Sequence, residues 1–284
     1  MKNIIKIVRI LFLMLFLTSW AHSIELSLKL SGGLSYINLK NTNRTLQDWS
    51  EWQKREADYR KNWSFLGGEV RGFHSGFDFE GEIIVSFTPH LAAGVGTGYI
   101  HGELNEEKTE ITLEKVLGTY IYVRPTKVSA FPLTLSGYYF FPLKKVNFFI
   151  KGGAGIIWAK YIDREGNKKT SATNFAYPQL QRTSAKGSTL FGGLGIMYDM
   201  EPGMRFFIEG SARLAKISGF HGENKEGDTG ILYFFEEYDP DLDFWQAKNR
   251  ISADEPSGEN IRSLEEATVD FSGFSVKIGI IIKF

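Results

Sequence analysis

Residues 274–284 read FSVKIGIIIKF. Phe274, Val276, Ile278, Ile280, Ile282 and Phe284 occupy every second position and are all large and apolar. Ser275, Lys277, Gly279 and Lys283 stand between them, with Ile281 the one bulky apolar residue on that side. A period of two assigns the two sets to opposite faces of a β-strand, and its length suits the about 9–11 residues with which a tilted strand crosses a bilayer. A soluble ligand-carrying barrel alternates as well, but its outer face is wet. Here one face is greasy and the other small and polar.

The same alternation recurs upstream. Ile24, Leu26, Leu28, Leu30, Leu34 and Tyr36 form an even-numbered apolar row. Phe73, Phe77, Phe79, Ile83, Val85 and Phe87 form an odd-numbered one, opposite His74, Asp78, Glu80, Glu82 and Ser86. Leu91, Ala93, Val95 and Tyr99 face away from Ala92, Gly94, Gly96 and Gly98, and Leu133, Leu135, Tyr139 and Phe141 away from Thr134, Ser136 and Tyr138. Pro125 and Pro132 interrupt that last stretch and predict a bulge or an edge-like extension, because proline donates no ladder bond. Further rows are Val146, Phe148, Ile150, Ala154, Ile156 and Trp158; Leu190, Leu194, Ile196 and Tyr198; and Phe206, Ile208, Ala212 and Leu214.

Together with 274–284 these make eight strands, joined alternately by short turns and long polar segments. The pattern predicts an all-β fold for residues 24–284: an eight-stranded antiparallel up-and-down transmembrane β-barrel with short periplasmic turns and long extracellular loops. Closure leaves no strand edge unpaired in hydrocarbon, and eight strands enclose a lumen that side chains fill. A hairpin over Ile231–Tyr238 would raise the count to ten. Outward aromatics near the short turns (Phe87, Phe141, Phe148, Tyr198, Phe206, Phe284) and near the long loops (Phe73, Tyr36, Tyr99, Trp158) sort into two belts, as at two membrane interfaces.

The totals agree. Net charge is +0, which gives no basis for nucleic-acid binding, and cysteine is absent, which excludes disulfides and thiolate metal sites. Residues 1–23 read as a secretory signal peptide: Lys2, Lys6 and Arg9, then the apolar run Ile10 to Leu17, then Ala21-His22-Ser23 as a small-x-small cleavage site. That apolar run is too short to span about 30 Å of hydrocarbon as a helix.

The mature chain resembles the small bacterial outer-membrane β-barrels that include outer-membrane proteins A (its barrel domain), W and X. The resemblance lies in FTPHLAAGVGTGYIHGE (87–103), FPLTLSGYYFFPLKKVNFFIKGGAGIIWAKY (131–161) and the terminal IGIIIKF. It implies localisation in the outer membrane, contact with outer-membrane lipid and lipopolysaccharide, a monomer, and a terminal strand (Phe284, Ile282, Ile280) read by the barrel-assembly machinery. The group hosts adhesion, small-molecule passage and structural roles, so it leaves activity open.

Inward charges are Glu25, Lys29, Asp78, Glu80, Glu82, Lys151, Glu209, Arg213 and Lys277. Five acids against four bases read as a network filling the lumen, since lone buried charges are costly. A charged, porin-like conduit for small or hydrophobic molecules is the alternative. A hydrolase acting on lipid A or protein is weaker: His74 and the adjacent Ser75 point to opposite faces, and His101 has no evident serine partner. No catalytic residue, cofactor or metal is expected. Asp239, Asp241 and Asp243 have calcium-like spacing, but Phe244 and Arg250 stand where an EF-hand needs its glycine and distal glutamate.

The loops carry the remaining signals. Trp49, Trp52, Tyr59 and Trp63 recur at helical spacing, with Thr45 and Asp48 as a cap and Lys54, Arg55, Arg60 and Lys61 around them. The helix is expected either to touch lipopolysaccharide phosphates or another extracellular ligand, or to pack as a lid. The third loop is basic, whereas residues 219–268 hold thirteen Asp and Glu against four Lys and Arg. Loose charge-driven contact between the two follows.

Overall fold

The structure, a computed structural model, describes residues 24–143 and 146–284. The expected signal peptide lies outside the described residues. Numbered along the chain, these residues form seventeen strands and one helix, α1 (Lys40–Tyr59).

Eight strands form a ring. They are β1 (Glu25–Tyr36), β3 (Ser75–Ser86), β4 (Leu91–Leu104), β7 (Thr126–Leu143), β8 (Val146–Lys169), β9 (Ala176–Glu201), β10 (Met204–Leu214) and β17 (Gly273–Lys283). Each pairs antiparallel with the next, and β17 returns to β1 with Leu34 opposite Val276 and Leu28 opposite Ile282. The backbone of the first strand also meets the chain end, where the Phe284 N–H donates to the Leu26 carbonyl at 2.9 Å.

Exposure around this ring is inverted relative to a soluble protein. Leu34, Leu135, Leu194 and Val276 are each more than 60% exposed, whereas Lys29, Lys151, Glu209 and Lys277 are at most 4% exposed. Tyr36, Phe77, Phe131, Trp158 and Phe274 lie outward toward the long connections, and Phe141, Phe148, Tyr198 and Phe284 toward the short ones. Phe73 does not belong with them: it precedes β3, is 8% exposed and joins an interior cluster. The glycines of the inner face make room for rings. A Cβ on Gly279 would lie 2.7 Å from Cζ of Phe207, which fills the lumen from the neighbouring strand.

Pro132 causes no bulge. The ladder between β4 and β7 omits Gly98 and Tyr99 opposite Phe131 and Pro132, but resumes in unchanged register, while pairing with β8 continues through Pro132–Ile157. The interruption stays local, and the Pro132 carbonyl accepts from the Thr97 hydroxyl at 3.1 Å.

The long connections are not loops. Strands β8 and β9 run 24 and 26 residues, about 80 Å along the strand at ~3.3 Å per residue, well beyond a bilayer. Onto this wall the chain adds β2 (Ser64–Gly68), β5 (Ile111–Lys115), β6 (Gly118–Val123), β12 (His221–Asn224), β13 (Thr229–Asp239), β14 (Phe244–Ser252) and β15 (Ile261–Glu266), all in one continuous sheet. A separate pair joins β11 (Lys216–Ile217) to β16 (Val269–Asp270). The hairpin anticipated near Ile231 is β13–β14, which extends the sheet without entering the ring.

Candidate functional site

The interior has three tiers. Nearest the short turns, Ile84, Ala92, Tyr138, Phe140, Phe149, Met197, Phe207 and Ile281 form an apolar plug. Above it lie the charges. Lys29 Nζ is 2.6 Å from Glu209 Oε2 and 2.9 Å from Glu80 Oε1, and Lys151 Nζ is 2.8 Å from both Glu80 and Glu209. Lys277 bridges Glu80 and stands 3.7 Å from Glu209. Glu82 accepts from the Ser136 and Tyr138 hydroxyls and lies 3.7 Å from Lys29. Three lysines thus meet three glutamates from five strands.

Arg213 stands apart from this cluster. It takes Asp78 at 2.9 Å and donates to the Phe271 carbonyl at 3.0 Å, not to the glutamates. Glu25 is also no member: it pairs at 2.7 Å with Lys283 at the barrel rim, more than a third of its side chain exposed. Removing it leaves Asp78, Glu80, Glu82 and Glu209 against Lys29, Lys151, Arg213 and Lys277, an even balance. The uneven count arose because alternation gives a residue's face but not its height.

The third tier is a second apolar core above the charges, built from the upper strands and the head around Ile100, Val128, Ile157, Phe220, Leu232, Phe234 and Phe271. Helix α1 closes it with Leu46, Trp49 and Ala57. The helix starts five residues before the expected cap. Thr45 sits inside it, its hydroxyl donating to the Asn41 carbonyl at 3.1 Å, and Asp48 accepts the Ala247 N–H of β14 at 3.0 Å. Burial pushes the Asp48 carboxyl above its ordinary pKa, partly offset by that bond and by Arg44.

The four aromatic candidates of this segment separate. Trp49 is buried, Trp52 donates its indole N–H to Asp239 at 2.9 Å, Tyr59 is exposed, and Trp63 lies beyond the helix end. Lys54, Arg55 and Arg60 lie over the rings of Phe65, Phe244 and Trp63, so these cations are engaged within the head.

Lys115 enters an aromatic cage of Trp63, Tyr120 and Tyr122, with its Nζ 3.3 Å from the Trp63 ring centroid. Desolvation, then the nearby Arg60, lower its pKa to about 8. Sequence reasoning misses this cage because Lys115, Tyr120 and Tyr122 follow the charged segment 102–112 in what reads as the start of the extended stretch ending at Phe141, while Trp63 lies in a different connection. The alternating ITLEK and GTYIYV either side of Val116-Leu117 are the available signal.

A cleft of about 500 Å³ opens in the head between α1, the upper part of β8–β9 and the β13–β14 hairpin, with Trp49 and Trp52 on its wall. The three aspartates near it serve a turn: Asp239 Oδ1 accepts the N–H groups of Asp241 and Leu242, and Asp243 accepts the Tyr238 hydroxyl. His74 stacks on Tyr36 and faces Asn43, whereas the adjacent Ser75 is exposed; His101 lies 3.2 Å from Glu103. Among the described residues no group of three or more His, Cys, Asp or Glu is placed to hold a metal ion.

The third and fourth connections meet by backbone. His221–Asn224 of β12 pair with Gln181–Ser184 of β9. The expected loose charge contact is replaced by a ladder, and among the described residues no ion pair links the cations of 162–186 to the acids of 219–268.

No protein-family model matches the chain, and no curated protein matches it. Among solved structures it is similar to a major outer membrane protein from Thermus thermophilus, at 11% identity and TM-score 0.42, covering 93% of this chain and 100% of that one. It is also similar to the outer membrane protease OMPT from Escherichia coli, at 9% identity and TM-score 0.30, covering 94% and 100%. Scores this low carry no weight for fold or activity.

Proposed function

We propose that this chain is an integral outer-membrane β-barrel with a side-chain-filled lumen that acts at the cell surface through the head above the barrel. The inverted exposure of the ring carries this reading. A continuous apolar outer band beside a buried ionic interior is unfavourable in water and favoured in hydrocarbon. The band would contact outer-membrane lipid and lipopolysaccharide, the terminal strand would be read by the assembly machinery, and the closed ring favours a monomer.

A porin-like conduit is the second reading, and the ladder gap at Pro132 is what favours it. A lumen cavity lies beside that gap, lined by Gly98, Pro132, Asp78 and Arg213, but its volume is about 40 Å³. That is little more than one water's share of liquid volume, about 30 Å³. A lipid A-modifying hydrolase would need a nucleophile and base in reach, and His74 with Ser75 does not supply them.

Planar-bilayer recording of the purified protein tests the choice. The filled lumen predicts no stable conductance, and stable open channels would replace it with the conduit. Membrane fractionation with protease shaving of intact cells tests the location.

A further inference from the structure

Two buried polar atoms of the head have no hydrogen-bond partner, and both residues line the same cleft. One is a donor, Nε1 of Trp49; the other is an acceptor, Oε1 of Gln181. Trp49 is 1% exposed, and a buried indole N–H ordinarily finds an acceptor. Gln181 is held in place, since its amide nitrogen donates to the Asn249 carbonyl at 2.9 Å. Exchanging its oxygen and nitrogen would forfeit that bond.

The rest of the wall narrows the chemistry. Trp52 has committed its indole N–H to Asp239, so what it offers the cleft is ring surface. Gln246 and Asn249 add planar amides. An apolar ligand would leave the Trp49 donor and Gln181 acceptor desolvated and unpaired. An anionic ligand finds no net attraction, because Arg124 and Lys248 on the wall are paired with Asp163 and Glu237 and the remaining Arg250 shares the wall with Glu165, Glu226 and Asp228; a cation brings no acceptor for the Trp49 N–H. A hydroxyl group both donates and accepts, so one kind of group satisfies both orphan atoms. A sugar ring also presents a C–H face to an indole.

We infer that the cleft between α1, β9 and the β13–β14 hairpin binds a short uncharged glycan, with Trp49 donating to and Gln181 accepting from its hydroxyls while Trp52 supports a ring face. A volume of about 500 Å³ falls in the range of small-ligand sites, about 300–1,000 Å³, and admits about two or three sugar units. This inference rests on the head acting at the cell surface and adds the class of ligand.

Calorimetric titration of the full-length barrel, in a detergent without a sugar headgroup, provides the test. The probes are lactose, cellobiose, maltotriose and di-N-acetylchitobiose at millimolar concentration, with tri-alanine as the comparison. At least one saccharide should bind saturably. Gln181→Leu and Trp52→Ala should each weaken it about tenfold, as expected for an unpaired buried polar group or a lost aromatic face, with gel heat-modifiability unchanged. Absence of saturable binding across the saccharides overturns the inference. So does preference for tri-alanine, or saccharide binding indifferent to both substitutions. None of these results alters the conductance record, so a failed glycan site and a failed filled-lumen reading are told apart.

Discussion

Lys29 and Glu209, 180 residues apart in sequence, meet at 2.6 Å in the middle of the barrel. Both side chains are sealed from solvent, and they belong to β1 and β10, strands that do not pair with each other. The contact therefore links the two strands that flank β17 through the interior, beyond what the ladder supplies.

Glu209 also has Lys151 at 2.8 Å, so removing Lys29 leaves it paired but sets three buried glutamates against two lysines, one negative charge in excess. Lys29→Met should destabilise the folded barrel by about 3–5 kcal/mol, and Lys29→Met with Glu209→Gln should recover much of that loss. Urea unfolding of the refolded barrel in lipid measures both. Equal losses in the single and double variants would show that the lumen admits enough water to screen the pair.

Deleting Phe284 should impair delivery to the outer membrane far more than it destabilises a barrel already formed. Its side chain is 76% exposed, so it contributes little burial to the finished fold. Fractionation and heat-modifiability compare the two. Normal outer-membrane levels of the truncated protein would refute the assembly role of this terminus.

Trp49→Ala should cost about 3–5 kcal/mol in the head, as for other large aromatics truncated in a core. The barrel should stay intact because the lumen below has its own apolar tier. Limited proteolysis is expected to open α1 while leaving the heat-modifiable gel shift unchanged.

Lys115 gives a pH dependence of definite sign. Its pKa is lowered in the fold to about 8 from an ordinary value of 10.5, so between those values the unfolded segment binds more protons than the folded one. Stability of the β5–β6 hairpin should rise with pH through this window and be lowest below about 8. Amide exchange of Leu113 and Tyr122 measured across it is the check, and Lys115→Met should flatten the dependence.

Salt should not release the β13–β14 hairpin. It is tied to the wall through β12 by backbone pairing with β9, and neutral hydrogen bonds are screened far less than exposed ion pairs. Cleavage at 219–268 on intact cells should therefore be low and independent of ionic strength. A steep rise with salt would restore a charge-held loop.

Much of the ring is legible in the sequence because an apolar outer band and a crowded lumen inside impose a strict period of two. Leu34, Val276 and Leu194 are outward, and Lys29, Lys151 and Lys277 inward, by that rule alone. Height is less legible. Arg213 meets Asp78 and not Glu80, and Glu25 falls at the rim, because the stagger of tilted strands decides which inward residues share a level. Past the apolar band the period loses its meaning. Strands such as Ile111–Lys115 are buried by other parts of the head, and their hydrophobicity reads as a loop until those partners are known. The helix start is hidden for a related reason: Leu39 precedes it with no side-chain cap, so packing onto β14 sets its position where Thr45 offered a cap.

The unbroken run of β8 and β9 from the ring into the head has a mechanical consequence. No hinge separates the two regions along these strands, so a force applied at the tip of the ribbon is carried down the same ladder that forms the barrel wall. Pulled along the strand axis, many cross-strand hydrogen bonds are loaded together and not one after another. The head should behave as a stiff mast, holding whatever it grips at a fixed height and angle above the ring, and under tension it should yield together with the wall beneath it.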